Sequence, residues 1–288
     1  MTNLATRVLF ALVAIPVVVG LAYLGGLPLA LLLAVAGGLA AWEYYSIAAA
    51  AGERPMAITG TVIAVAIPLS VHAYHAGRFN PPILTLGAAI VLIVFALAIW
   101  WRGVEGRPIG AVACTLFGAV YTGGMLSFAY GLRYQNYAVG PNAGMALVLY
   151  PVLLTWTSDT AAYFVGRSLG RRKLIPSVSP GKTVAGAVGA VVASVVASWI
   201  YSRYVLPPFA RLSVLPWPAV WFGVVISAAV QIGDLAESLI KREAGVKDSS
   251  HMIPGHGGVL DRIDSLLFAI PVAYLVFTFP HVFFPVNR

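Results

Sequence analysis

The chain has 288 residues, of which 60% are hydrophobic and only 10% are charged. This composition excludes an ordinary soluble domain and predicts an all-α, polytopic membrane protein. The formal net charge of +8 comes from basic residues in short segments between apolar runs. Membrane topology and anionic ligands account for such a pattern, so we exclude nucleic acid as a partner.

Nine apolar stretches follow one another, each near the 20 or so residues that a helix needs to cross a bilayer. A cytoplasmic N-terminus would place thirteen of the 18 Lys and Arg residues inside and five outside. This excess predicts that orientation in the cell (inner) membrane, with the polar loops on the cytoplasmic side. The predicted spans cover residues 8–25, 27–48, 57–76, 82–101, 109–131, 143–165, 184–204, 216–238 and 263–284.

The first five spans carry few polar side chains. Glu43 stands beside Trp42 and Tyr44 near the predicted cytoplasmic end of the second span. We interpret it as an interfacial anchor, with a direct role in the site as the alternative. We therefore divide the chain into an N-terminal transmembrane region, residues 1–140, with a structural or lipid-facing role, and a C-terminal transmembrane catalytic region, residues 141–288.

The sixth span changes this character, because Asp159 lies within an apolar helix. An ionisable residue there costs about 2.5–3.5 kcal/mol on insertion scales, so Asp159 should face the bundle interior or water. A structural pairing with Lys or Arg is the alternative. The basic loop that follows, with Arg167, Lys173 and Lys182, could attract a phosphate or simply obey the positive-inside rule. Its Gly-Lys-Thr is not a P-loop, because Pro176 replaces the first glycine and we expect no strand before it.

Charged side chains are concentrated between the last two spans. Asp234, Ser238, Lys241 and Arg242 are spaced so that they share one helix face. They would direct a carboxylate, a hydroxyl and two cations into the same space. The structural alternative is that Asp234 simply pairs with Lys241 or Arg242.

A glycine-containing segment follows this helix. His256, Gly257 and Gly258 offer backbone N–H groups suited to phosphate oxygens. Asp261 and Asp264, three residues apart, add two carboxylates at the start of the next helix, unless they only cap it. Carboxylates, cations and exposed backbone N–H groups together are typical of a site for a metal-bound polyphosphate.

These residues form a recognisable pattern, Ser238-x2-Lys241-Arg242-x4-Lys247-Asp248-x5-Pro254-x-His256-Gly257-Gly258-x2-Asp261-Arg262-x-Asp264. It resembles the signature of the phosphatidate cytidylyltransferases, also called CDP-diacylglycerol synthases. The resemblance extends upstream to the segments 158–167 and 173–183. It departs from the family at Gly181, Val184 and Ala185, where members usually carry Lys, an aromatic residue and Glu. Over the first 150 residues it is confined to hydropathy.

The resemblance implies transfer of a cytidylyl group from CTP to phosphatidate, with Mg²⁺ as cofactor and Asp234 and Asp261 as its ligands. Asp159, Asp248 and Asp264 would support these ligands or add to them. The other residues implied in catalysis are Lys241, Arg242, Asp248, Arg262 and Asp264. Those implied in substrate binding are Asp159, Arg167, Lys173, Lys182, Ser238, Lys247, His256, Gly257 and Gly258.

Two other functions are kept open. A CTP-dependent lipid kinase would share the nucleotide and the membrane setting but release CDP. A transporter of an anionic metabolite would also place charges in a membrane interior, although transporters commonly show internal repeats. A homodimer is likewise left open.

Overall fold

The structure, a computed structural model, describes residues 3–80, 83–250, 252 and 257–279. Helices form most of this part of the chain. In order they are α1 (Asn3–Leu24), α2 (Gly26–Ala50), α3 (Ala57–His75), α4 (Ile83–Trp101), α5 (Pro108–Ala119), a π-helical turn (Val120–Gly124), α6 (Met125–Arg133), α7 (Gly140–Leu169), α8 (Val184–Tyr204), α9 (Leu206–Ala210), α10 (Pro216–Glu243), α11 (Leu260–Ile263) and α12 (Leu266–Phe277).

Six helices of the described part are long and apolar enough to cross a membrane: α2, α3, α4, the continuous helix α5–α6, α8 and α10. The prediction of a multi-pass helical membrane protein is therefore confirmed. The other three predicted spans overlap α1, α7 and α12, and the last of them extends into residues 280–284, outside the described residues. The count of nine stays a prediction.

The chain divides into two compact units that do not follow a single cut along the sequence. One unit contains residues 1–16, 26–130 and 240–263, and the other contains residues 17–25, 131–239 and 264–288. The segment 240–263, which holds most of the C-terminal sequence pattern, thus belongs to the unit built from helices α2 to α5. The functional division at residue 140 stays a prediction.

Close backbone contact organises the first unit. A Cβ atom at Gly37 of α2 would lie 2.9 Å from the Cα atom of Gly123, in the π-helical turn. A Cβ atom at Gly123 would in turn overlap the backbone of Ala64 in α3. Small residues of this kind let membrane helices pack backbone against backbone. Glycine at these positions therefore sets how closely α2 and α3 approach the π-helical turn.

The expectation that no strand precedes Gly181 is wrong. Strands β1 (Lys173–Ile175) and β2 (Ser179–Thr183) form an antiparallel hairpin in the second unit. The strands are too short, and too rich in basic residues and proline, to show the alternation by which strands are recognised. The Gly-Lys-Thr sequence lies inside β2, not in a loop after a strand, so the exclusion of a P-loop stands.

The hairpin leads directly into α8. Thr183 caps this helix, since its Oγ1 atom accepts a hydrogen bond of 3.1 Å from the Gly186 N–H group. A Cβ atom at Gly186 would lie 2.7 Å from the carbonyl oxygen of Ala162. Helices α7 and α8 therefore pack closely at the point where the hairpin joins them.

Candidate functional site

A cavity of about 650 Å³ lies in the second unit, between α7, the hairpin, the start of α8 and α10. Its lining brings together predicted site residues from separate parts of the sequence. Helix α7 supplies an acid and a cation, the hairpin supplies two cations, and α10 supplies a second acid. These residues are Asp159, Arg167, Lys173, Lys182 and Asp234.

The carboxylate of Asp234 is held from two directions. Its Oδ2 atom lies 2.8 Å from the Nζ atom of Lys182, and its Oδ1 atom accepts a hydrogen bond of 3.4 Å from the Ser238 hydroxyl. The ion-pair partner of Asp234 is thus on the hairpin, not two turns further along its own helix. Both side chains remain partly exposed, at 24% for Lys182 and 36% for Asp234, although the Lys182 Nζ atom itself is buried. A charged ligand can therefore reach the Asp234 carboxylate.

Besides Asp234, two acids influence this cavity: Asp159, which lines it, and Asp264. Asp159 interacts electrostatically with the like charges of Asp264 and Asp234 and with the opposite charge of Lys182. A Cβ atom at Gly233 would lie 2.8 Å from the carbonyl oxygen of Asp264. The missing side chain at Gly233 therefore lets α10 approach the turn before α12 and keeps Asp264 near the cavity.

This set of donors suits Mg²⁺, which prefers carboxylate oxygen and is usually held by one or two carboxylates together with substrate phosphates and water. Within the described ranges, no group of three or more His, Cys, Asp or Glu side chains is arranged to hold a metal ion. Mg²⁺ bound to a nucleotide does not require such a group. Asp234, exposed to the cavity, is a suitable donor.

A second cluster lies in the first unit, around Asp261. The Oδ1 atom of Asp261 is 2.6 Å from the Nζ atom of Lys241, and the two side chains are only 7% and 10% exposed. Its Oδ2 atom accepts hydrogen bonds from the Ser249 N–H group at 3.0 Å, the Ser249 hydroxyl at 2.9 Å and the Gly258 N–H group at 2.8 Å. Asp261 therefore links Ser249 to Gly258.

The surroundings of Asp261 act on its pKa in opposite directions. Burial raises the pKa, but hydrogen bonds from Lys241 and from the Gly258 and Ser249 N–H groups outweigh burial and lower it to about 2. A carboxyl group with a depressed pKa in the folded state stabilises that state above its unfolded pKa of about 3.9. This stabilisation is lost as the pH falls from about 4 towards about 2.

The interpretation of Glu43 as an interfacial anchor is wrong. Its side chain is only 1% exposed and accepts hydrogen bonds from the hydroxyls of Ser249 and Ser250 and the N–H groups of Val259 and Leu260. The neighbouring aromatic residues suggested an interface, but an ionisable residue inside a membrane helix normally has a buried partner. The same reasoning that identified Asp159 would have identified Glu43.

The remaining predicted residues differ in exposure. Ser238 is buried, and Gly257 adopts a positive φ of 81°, which glycine favours. The exposed ones, all in the first unit, are Arg242, Lys247, Asp248 and Arg262. His256 lies outside the described residues.

We expect Gly258→Ala to lower both stability and activity, because a Cβ atom there would overlap the Ser249 hydroxyl and a Glu43 carboxylate oxygen. Gly181→Ala is the matched control, since a Cβ atom at Gly181 meets nothing within 4 Å. Thermal unfolding of the two purified variants provides the measurement. Equal melting temperatures would show that the loop around Gly258 tolerates a side chain.

Known proteins are similar to this chain over nearly its whole length. The family model described as the cytidylyltransferase family matches residues 5–279. A phosphatidate cytidylyltransferase of Bacillus subtilis is 30% identical over 281 residues, which are 96% of this chain and 98% of that protein. One from Brucella suis is 32% identical over 96% of this chain and 93% of its own length.

A shorter match is concentrated on part of the chain. A phosphatidate cytidylyltransferase of Haemophilus influenzae is 44% identical over 144 residues, which are 49% of this chain and 48% of that protein. The family model, by contrast, covers nearly all of the sequence, as do the matches to the Bacillus and Brucella proteins. The chain therefore belongs to the cytidylyltransferase family.

Proposed function

We propose that this protein transfers the cytidylyl group of CTP to phosphatidate, giving CDP-diacylglycerol and pyrophosphate for phospholipid biosynthesis. The observation that carries this proposal is the cavity of the second unit, where three cations and two carboxylates meet beside membrane helices. Such a site suits two anionic substrates, one of which is a lipid. The relatives named above carry the same activity in their names.

The reaction needs little proton chemistry from the protein. An oxygen of the phosphatidate phosphate attacks the α-phosphorus of CTP, and the bond from that phosphorus to the β-phosphate oxygen breaks, releasing pyrophosphate. A phosphomonoester has a second pKa near ~6, so the nucleophile is already largely dianionic at neutral pH. The main task of the protein is to bring two anions together.

The cations around the cavity perform that task. Lys182 and Lys173 extend from the hairpin and Arg167 from the end of α7. We assign them to the phosphate of the lipid or of the nucleotide. Their positive charges reduce the repulsion between the two anionic substrates. The exposed cations Arg242, Lys247 and Arg262 are assigned to the same anions.

We further propose that Asp234 and Asp261 would hold Mg²⁺. The metal would neutralise triphosphate charge while the α-phosphorus is attacked. Asp234 offers a carboxylate that is exposed to the cavity. Asp261 is paired with Lys241, so a metal there has to compete with that ammonium group.

The decisive experiment incubates purified protein with CTP, Mg²⁺ and phosphatidate and identifies the released phosphate species. We expect pyrophosphate together with CDP-diacylglycerol. Release of CDP with a phosphorylated lipid would instead show the CTP-dependent lipid kinase. Absence of any turnover, with anion exchange in vesicles, would favour the transporter.

We also propose that the chain crosses the inner membrane nine times, with the N-terminus and the site on the cytoplasmic side, because thirteen of the 18 Lys and Arg residues would then lie inside. In a variant without Cys114, we expect an impermeant thiol reagent to modify Asn136→Cys in spheroplasts. Ser177→Cys, in the hairpin turn, should react only after permeabilisation. The opposite pattern would reverse the topology.

A further inference from the structure

The geometry points to Glu43 as a positioning residue: from α2 it holds Ser249, Ser250, Val259 and Leu260 in the positions that present Asp261 and Lys241. This inference rests on the proposed function, because it gives Glu43 a role in that site. All the contacts it uses lie within the first unit.

Four donors lie within hydrogen-bond distance of Glu43, two at each carboxylate oxygen, and one of them, the Ser249 hydroxyl, is shared with Asp261. The Glu43 Oε1 atom accepts from the Ser250 hydroxyl at 2.6 Å and the Val259 N–H group at 2.9 Å. Its Oε2 atom accepts from the Ser249 hydroxyl at 3.0 Å and the Leu260 N–H group at 2.7 Å. Glu43 therefore connects Ser249 and Ser250 to Val259 and Leu260 through one side chain.

The N-terminal end of α11 explains why such an acceptor is needed. The first N–H groups of any helix have no partner within the helix, and α11 is only four residues long. The N–H groups of Val259 and Leu260 lie at this end and are directed to Glu43. A residue of α2 thus takes the place that a neighbouring Ser, Thr or Asp usually fills as a cap.

Ser249 connects Glu43 to Asp261. Its hydroxyl lies 3.0 Å from the Glu43 Oε2 atom and 2.9 Å from the Asp261 Oδ2 atom, so the two carboxylates share its single proton. Its N–H group donates to the same Asp261 oxygen at 3.0 Å. Only Ser249 separates the two carboxylates, so a displacement of Ser249 at Glu43 reaches Asp261 and its partner Lys241 directly.

A carboxylate would be unexpected at position 43 if this side chain only packed α2 against its neighbours. Glu43 is 1% exposed, and none of the ion pairs between described residues includes it. A buried charge is costly unless hydrogen bonds satisfy it. Ionised Glu accepts hydrogen bonds on both oxygens. In Gln an NH₂ group replaces one of these oxygens, and this group would face two of the four donors without being able to accept from them. The structure therefore requires the carboxylate at this position.

The test compares Glu43→Gln with Glu105→Gln, the same substitution at an exposed loop residue of the first unit. Both variants are assayed with CTP, Mg²⁺ and phosphatidate, and amide hydrogen exchange is measured at residues 249, 250 and 257–260. For Glu43→Gln we expect faster exchange at these residues, a kcat/KM about 10–100-fold lower and a higher Mg²⁺ concentration for half-maximal activity. Glu105→Gln should match the unchanged protein.

Ser250→Ala provides a milder variant, because it removes only one of the four hydrogen bonds to Glu43. It should shift exchange, turnover and Mg²⁺ dependence in the same direction by a smaller amount. The test therefore remains possible if Glu43→Gln fails to fold. Faster exchange with unchanged turnover and Mg²⁺ dependence, or unchanged exchange, would overturn the positioning role. Absence of turnover in the unchanged protein would contradict the proposed function instead, while the exchange measurement still tests the contact.

Discussion

Asp234→Asn is expected to reduce turnover about 100-fold or more while leaving the melting temperature nearly unchanged. The carboxylate charge is what a hard cation such as Mg²⁺ requires, and Asn keeps the size of the side chain without that charge. The pair with Lys182 is partly exposed, and exposed pairs contribute only about 0–1 kcal/mol to stability. Steady-state kinetics over a range of Mg²⁺ concentrations and thermal unfolding measure the two effects.

Glu243→Gln is the matched control, because Glu243 lies on the same helix as Asp234, is exposed and is outside the sequence pattern. This change should affect neither turnover nor stability. Near-normal turnover of Asp234→Asn at saturating Mg²⁺ would remove Asp234 from the metal site and leave it only as the ion-pair partner of Lys182.

For Asp261→Asn we expect loss of turnover together with loss of stability. The side chains of Asp261 and Lys241 are 7% and 10% exposed, and removing one partner of a buried pair costs about 3–5 kcal/mol because the other charge is left uncompensated. The difference in stability between this variant and the unchanged protein should persist above about pH 4. It should shrink as the pH falls towards 2, where Asp261 itself becomes protonated.

The double variant Lys241→Met, Asp261→Asn separates the two roles of this pair. It removes both charges, so it should recover part of the lost melting temperature. It should not recover turnover, since both the proposed metal ligand and the cation are gone. Recovery of turnover along with stability would show that the pair serves the fold alone.

The cavity residues were largely predictable from sequence. Asp159 and Asp234 are acids in apolar helices, and membrane insertion leaves such residues few places other than a protein interior. The partner of Asp234 was not predictable in the same way. Helical periodicity relates a residue only to neighbours on its own helix, whereas Lys182 comes from a hairpin whose strands are too short to leave a pattern.

Glu43 shows a different limit of sequence reasoning. Its acceptor role depends on Ser249, Ser250, Val259 and Leu260, which have no periodic relation to α2. Two of these partners donate through backbone N–H groups, which are the same for every residue type except proline. Its burial could be predicted, but these contacts are apparent only in three dimensions.

The contact between Glu43 and Ser249 also constrains how the protein assembles. The two residues are 206 positions apart, so the ribosome delivers Glu43 to the membrane long before its hydrogen-bond donors exist. During that interval Glu43 of nascent α2 lacks these hydrogen-bond partners. The contacts can form only after Ser249 and the residues that follow it have been synthesised, so chains truncated before residue 249 would leave Glu43 without them.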